Sequence, residues 1–277
     1  MSSPRSETHF LVLPGGGYAN YAENEAEPIV DWLRGLGILA SVLRYPLHAR
    51  HPVPLHAVRS AVSRLRAMGA ARVGLIGFSA GGHLAGHAAL SDVSSPDARI
   101  DVVMLGYPIT SMEMETYRPA RLILLGEDAP PKLRRATSLD ALATAGAPPF
   151  FIWHTAEDPY VPVEHSYRLA AALAAQRVPH ALHVFSQGPH SLGLARGAGE
   201  ASAWTDLAAA WLIARLELLA RRVGDQLPAH EHPGDDDRMA DAAATRSALA
   251  NVPRGKPPNL ERCGSGGYHR VLRGEVA

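Results

Sequence analysis

The stretch Val73–Gly74–Leu75–Ile76–Gly77–Phe78–Ser79–Ala80–Gly81–Gly82 decides the fold of this 277-residue chain. An apolar run enters a turn rich in glycine, with one serine at its centre. Helix-forming residues follow from about Gly81 through His83, Leu84 and Ala88. This is G-x-S-x-G set between a strand and a helix. A side chain at Gly77 or Gly81 would strike neighbouring elements, so only glycine lets the chain reverse so tightly. The turn strains the serine backbone and pushes its Oγ out at the carboxyl end of a sheet. The Ala80 N–H, at the helix start, then faces any negative charge developing on an attacked oxygen. Ser79 is therefore a candidate nucleophile, and a structural Gly/Ser turn is the plain alternative.

Outward from this turn, short apolar runs alternate with helical patterns. His9 to Leu13, Ile38 to Leu43, Arg72 to Gly77, Asp101 to Gly106, Pro149 to His154 and His180 to Phe185 read as strands. They are continuously apolar, as strands covered on both faces are. Between them, Pro28 to Gly35, Leu55 to Met68 and Tyr167 to Ala175 carry helical stripes. Trp204, Ala208, Trp211, Leu212 and Leu219 mark a last long helix. The alternation predicts the α/β class: a mostly parallel central sheet of about six strands, helices on both faces, and right-handed crossovers.

A nucleophilic serine needs a base, and the base needs an orienting acid. Fourteen histidines compete for the first role. In a sheet of this kind the acid follows a late strand and the histidine follows the last one. His190 lies in Ser186–Gln187–Gly188–Pro189–His190–Ser191, just after the sixth strand, with glycines at 188 and 193 to permit a sharp turn. Asp158 lies just beyond the fifth strand. Glu157 is its rival, better read as a solvated charge, and Asp128 is a weaker outsider before that strand. Pro14–Gly15–Gly16–Gly17–Tyr18 follows the first strand. A phosphate loop would need a following Gly-Lys-Ser/Thr, which is absent. An oxyanion loop fits, with the Gly16 and Gly17 N–H groups as donors and Tyr18 the choice if the register shifts by one.

Other histidines point less clearly to chemistry. His83 and His87 stand one helical turn apart, but without the Glu of H-E-x-x-H, so a metal is not expected there. His48, His51 and His56, and also His230 and His232, fall in proline-rich or acidic stretches without a convincing ligand set. Tyr18, Phe78 and Trp153, with Tyr107 and Tyr160, are candidates to line a substrate pocket or, equally, to fill the core.

Composition narrows the function further. There are 27 basic and 27 acidic residues, with 47% hydrophobic and 19% charged. That balance argues against a nucleic-acid binder and against a polybasic membrane-surface protein. The only cysteine is Cys263, which rules out an intrachain disulfide. No apolar run is long enough to span a bilayer, and the first nine residues lack a signal-peptide core, so a cytoplasmic protein is expected. Residues 1–222 read as one catalytic domain with a small cap segment near 111–148. Residues 223–277 hold eight acids, seven bases and only ten large apolar side chains. They read as a disordered or loosely docked tail.

These motifs together resemble the α/β-hydrolase superfamily, and more narrowly the small acetyl-xylan and carbohydrate acetyl esterases. The matching stretches are PGGGYANYAENEAEPIVDWLRGLGI, GFSAGGHLAGHAAL, FFIWHTAEDPYVPVEHSYRLAAAL and GPHSLGLA. The resemblance implies Ser79 as nucleophile, His190 as base, Asp158 as acid, and backbone donors at Gly17 and Ala80. It implies a helical cap between Thr110 and Pro148. Only eight residues precede the first strand, so the fold is expected to be shortened at its N-terminal edge. The implied reaction is cleavage of a small carboxylic ester, of short acyl group, through an acyl-enzyme, with no metal or organic cofactor. A small-molecule ester is the expected partner. Rival readings are an amidase or peptidase, a tailoring hydrolase or cyclase of secondary metabolism, and a non-catalytic binding protein on the same fold. The length leaves no room for a propeller-sized extra domain, which weighs against an oligopeptidase.

Overall fold

The computed structural model describes residues 3–92 and 96–224. From residue 225 on, the expected tail lies outside the described residues. Six strands form one sheet: β1 (Thr8–Leu13), β2 (Leu39–Val42), β3 (Arg72–Phe78), β4 (Val102–Gly106), β5 (Phe150–Thr155) and β6 (His180–Phe185). Their order is β2-β1-β3-β4-β5-β6, and every pairing is parallel. The helices are α1 (Glu27–Gly35), α2 (Val53–Ala67), α3 (Ser79–Leu90), α4 (Arg118–Leu125), α5 (Pro131–Ala136), α6 (Leu139–Leu142), α7 (Glu164–Ala175) and α8 (Trp204–Gly224). The strands match the apolar runs to within about two residues. α3 begins at Ser79, two residues before the expected start.

Strand alternation sorts the core into two layers. Phe10, Val12, Ile76, Phe78, Val102, Met104, Phe151 and Trp153 face one way. There they meet Ile29, Val30 and Leu33 of α1 and Trp204, Ala208, Leu212 and Leu216 of α8. Leu11, Leu13, Val73, Leu75, Val103, Leu105, Phe150 and Ile152 face the other way, onto α2, α3 and α7. Every second side chain is apolar on both faces, which is why the strands read as continuous apolar runs. Each fully buried Leu, Ile, Val or Phe contributes roughly 1.5–3 kcal/mol of transfer free energy.

The register places the functional loops side by side. Leu13 pairs with Gly77, Phe78 with Gly106, Gly106 with Trp153, and Thr155 with Phe185. The segments after β1, β3, β4, β5 and β6 therefore leave the sheet at the same carboxyl edge. In open parallel sheets that edge is where ligands bind. The connection from β4 to β5 carries α4, α5 and α6 within the expected cap segment. None of the described helices is long and apolar enough to cross a membrane.

Candidate active site

The turn after β3 is built as the glycines require. A Cβ on Gly77 would run into the carbonyl of Gly81, and one on Gly81 into the carbonyls of Leu13 and Pro14. Both obstacles are backbone and cannot swing aside. Ser79 itself has φ of 52°, the left-handed region that a non-glycine residue occupies only under strain. Such strain is of order 1–3 kcal/mol and persists because the strand and helix on either side dictate it. The side chain emerges at the mouth of α3, 6% exposed.

Three loops then meet. His190 Nε2 lies 2.8 Å from Ser79 Oγ, and His190 Nδ1 lies 2.6 Å from Asp158 Oδ2. Asp158 is itself fixed. Its Oδ1 accepts the N–H groups of Tyr160 and Val161 at 2.9 and 3.0 Å. Its Oδ2 also lies 3.2 Å from Nε2 of the buried His154. Burial alone would raise the Asp158 carboxyl, but the hydrogen bonds from His154, His190 and the backbone outweigh it and hold it well below the usual carboxylate range. An anion here can orient an imidazole and stabilise it when it takes a proton. Glu157 and Asp128 are both exposed.

Gly16, Gly17, Ser79 and His190 line one cavity of about 310 Å³, along with Ala19, Asn20, Ala22, Tyr117, Pro119, Tyr160 and Ser191. Gly16 and Gly17 take φ of 114° and 65°, the left-handed region that lets the loop turn sharply. The Gly16 carbonyl accepts from Ala19 and Asn20, closing the turn. Among the described residues, no protein acceptor takes the Gly16 or Gly17 N–H. The Ala80 N–H is one of the first amides of α3, which have no acceptor within the helix.

The expected pocket aromatics divide. Tyr160 lines the cavity, paired edge-to-face with Tyr117 at 5.8 Å. Tyr18, Phe78 and Trp153 do not. Tyr18 turns away and its hydroxyl meets His83 Nδ1 at 2.6 Å. Phe78 and Trp153 point into the α8 layer, where Trp153 stacks on Trp204 at 5.0 Å. Their strand positions share the parity of Ile76 and Phe151, which aims them beneath the site and not into it. Tyr107 is buried too, with its ring against His190 at 4.9 Å.

His83 and His87 stack on each other at 5.6 Å, and His51 packs against His87 at 5.2 Å. Both His83 nitrogens are engaged, one by Tyr18 and the other by the Thr137 carbonyl at 2.8 Å. Among the described residues, no group of three His, Cys, Asp or Glu side chains has the placement to hold a metal ion. Two site features escaped the sequence reading. Tyr117 comes from the loop before α4, whose docking no local pattern announces. Glu25 lies in an acidic run, Glu23–Asn24–Glu25–Ala26–Glu27, of the kind usually found in solvent, yet it is fully buried.

The family model of the prolyl oligopeptidase family matches residues 55–218. Endo-1,4-beta-xylanase B of Butyrivibrio fibrisolvens is 34% identical over 206 residues, which is 67% of this chain and 32% of that protein. The acetylxylan esterase of Xylanibacter ruminicola is 27% identical over 194 residues, 65% of this chain and 40% of that protein. The chain thus spans well under half the length of both curated relatives. The crystal structure of an acetyl ester-xyloside bifunctional hydrolase from Caldicellulosiruptor lactoaceticus superposes with a TM-score of 0.72 at 35% identity, covering 77% of this chain and 85% of that one. With its wholly parallel sheet and a serine at the strand–helix turn, the chain belongs to the prolyl oligopeptidase family of α/β-hydrolases, and it is similar to acetylxylan esterases.

Proposed function

We propose that this protein is a serine esterase that removes a short acyl group, acetyl above all, from a small alcohol. Ser79 is the nucleophile, His190 the base and Asp158 the orienting acid. The observation that carries the proposal is the continuous chain from Asp158 Oδ2 through His190 to Ser79 Oγ, with bonds of 2.6 and 2.8 Å. His190 takes the Ser79 proton as Oγ attacks the ester carbonyl. The resulting oxyanion sits among the N–H groups of Gly16, Gly17 and Ala80. Each such donor is worth about 2.7–4 kcal/mol of barrier. His190 then gives its proton to the leaving alcohol. Water, deprotonated by His190 in its turn, frees the acyl group from Ser79.

The cavity supports the substrate class. Its lining includes the small residues Gly16, Gly17, Ala19 and Ala22, which suits a small acyl group. Tyr117 and Tyr160, 39% and 56% exposed, offer ring faces at its mouth for the alcohol. A sugar ring presents apolar C–H faces of matching size, so an acetylated sugar is the favoured substrate, in line with the similarity to an acetylxylan esterase and an acetyl ester-xyloside hydrolase. The test is a chain-length series of p-nitrophenyl esters. Acetate should be hydrolysed with the highest kcat/KM, and faster turnover of octanoate than of acetate would contradict the short-acyl reading.

A further inference from the structure

One carboxylate sits where three functional loops converge, and the steps above do not use it. Glu25 ends a short 3-10 turn, Glu23–Glu25, and is fully buried. Its Oε2 accepts the Gly15 N–H at 2.6 Å, in the loop after β1 that carries Gly16 and Gly17. Its Oε1 accepts the hydroxyls of Ser191 at 2.7 Å and Tyr107 at 2.8 Å. Ser191 directly follows His190. The Tyr107 hydroxyl in turn accepts the Gly193 N–H at 2.9 Å, from the same loop. Asn24 adds a further tie, donating to the Ser191 carbonyl at 2.8 Å.

The loops so held are strained. Tyr107 has φ of 36° and Ser191 has φ of 64°, both left-handed for non-glycine residues. Among the described residues no cation pairs with Glu25. A buried carboxylate without a cation is costly, and the fold offsets that cost here with three donors. Burial pushes the Glu25 carboxyl up, while the bonds from Ser191, Gly15 and Tyr107 pull it back. Burial also keeps the Tyr107 phenol protonated, so it remains a donor.

We propose that Glu25 is a positioning residue for the reaction, fastening the oxyanion loop to the base loop so that the Gly16 and Gly17 donors and the Ser79–His190 pair hold one fixed geometry. This rests on the serine-hydrolase reading of the site. Glu25 touches no substrate atom in the proposed reaction. It acts through Gly15 on the donors, and through Ser191, Tyr107 and Gly193 on His190. Oxyanion stabilisation and proton transfer both depend on sub-ångström placement, so loss of the brace should appear in the chemical step more than in substrate binding.

Glu25→Gln keeps the volume but replaces one acceptor oxygen by a donor, so the amide cannot accept from all three partners. Purified Glu25→Gln, Tyr107→Phe and the double variant are assayed with p-nitrophenyl acetate, and their melting temperatures are measured. Glu25→Gln should lower kcat about ten- to a hundredfold while KM stays within about twofold. The double variant should lose no more than about threefold beyond Glu25→Gln, because Tyr107 acts through the same carboxylate. Tyr107→Phe alone, which leaves the carboxylate intact, should lower kcat by about three- to tenfold. It decides the matter if Glu25→Gln does not fold. Unchanged kcat in a folded Glu25→Gln, a loss confined to KM, or fully additive effects would overturn the proposal. So would an unchanged kcat in Tyr107→Phe where Glu25→Gln is unfolded. A wild-type protein that neither hydrolyses the ester nor reacts at Ser79 would overturn the serine-hydrolase reading itself, and this inference with it.

Discussion

At the residue scale, Asp158 shows how much depends on one side chain's surroundings. Its two oxygens meet two backbone N–H groups and two imidazoles, and all of these favour the anion. The orienting bond to His190 Nδ1 fixes which ring nitrogen faces Ser79. Asp158→Asn retains the shape but can present an amide N–H in place of an acceptor. We expect kcat to fall by about 10³- to 10⁴-fold, with folding preserved, in steady-state assays on p-nitrophenyl acetate. A loss smaller than tenfold would remove Asp158 from its assigned role. The cluster of Ser79, His190 and Asp158 was legible in the sequence because each stands just beyond a strand end, in the chain order that the resemblance implies. Glu25 was not readable. Its carboxylate looks like its neighbours Glu23 and Glu27, which reach Arg44 in exposed ion pairs. Only tertiary structure separates the buried one.

At the scale of elements, α3 carries more than the proposed nucleophile. It is buried along nearly its whole length, and His83 and His87 are enclosed with it. Burial depresses the first to about 4 and the second to about 3, with neighbouring histidines adding to the effect. The folded protein therefore keeps both neutral well below the ordinary value of 6.5. The unfolded chain takes up these protons first, so stability is lost as pH falls from about 6.5 towards 4 and 3. Each histidine adds up to about 1.4 kcal/mol per pH unit to that slope. Thermal unfolding between pH 7 and pH 4.5 should show a steadily falling melting temperature. His87→Gln should make the decline shallower, and an identical decline in the variant would exclude His87 as a source. The helices and strands were legible because apolar period and glycine punctuation agree along the chain. Which strand-end aromatics face the cavity was not. That depends on residue parity at the last strand position, which short apolar runs do not define, so pocket and core stayed equal readings for Phe78 and Trp153 until the strand register was known.

At the scale of the whole molecule, the described residues carry both core layers and the candidate site. Both core layers close between Phe10 and Leu216, and every assigned or proposed site residue lies between Gly15 and Gly193. A chain ending at residue 224 should therefore fold and hydrolyse p-nitrophenyl acetate with kcat/KM within about threefold of the full chain. Failure of this truncated protein to fold would show that residues 225–277 contribute to the domain. The neutral charge balance and the small cavity agree with an uncharged ester substrate. Activation of Ser79 as a nucleophile by His190 can be read out by fluorophosphonate labelling of the native protein, with the modified residue located by mass spectrometry. Stoichiometric labelling at Ser79, its absence in heat-unfolded protein and its near-complete loss in His190→Ala are predicted; a folded wild-type protein left unlabelled at Ser79, or labelled equally fast without His190, would contradict it.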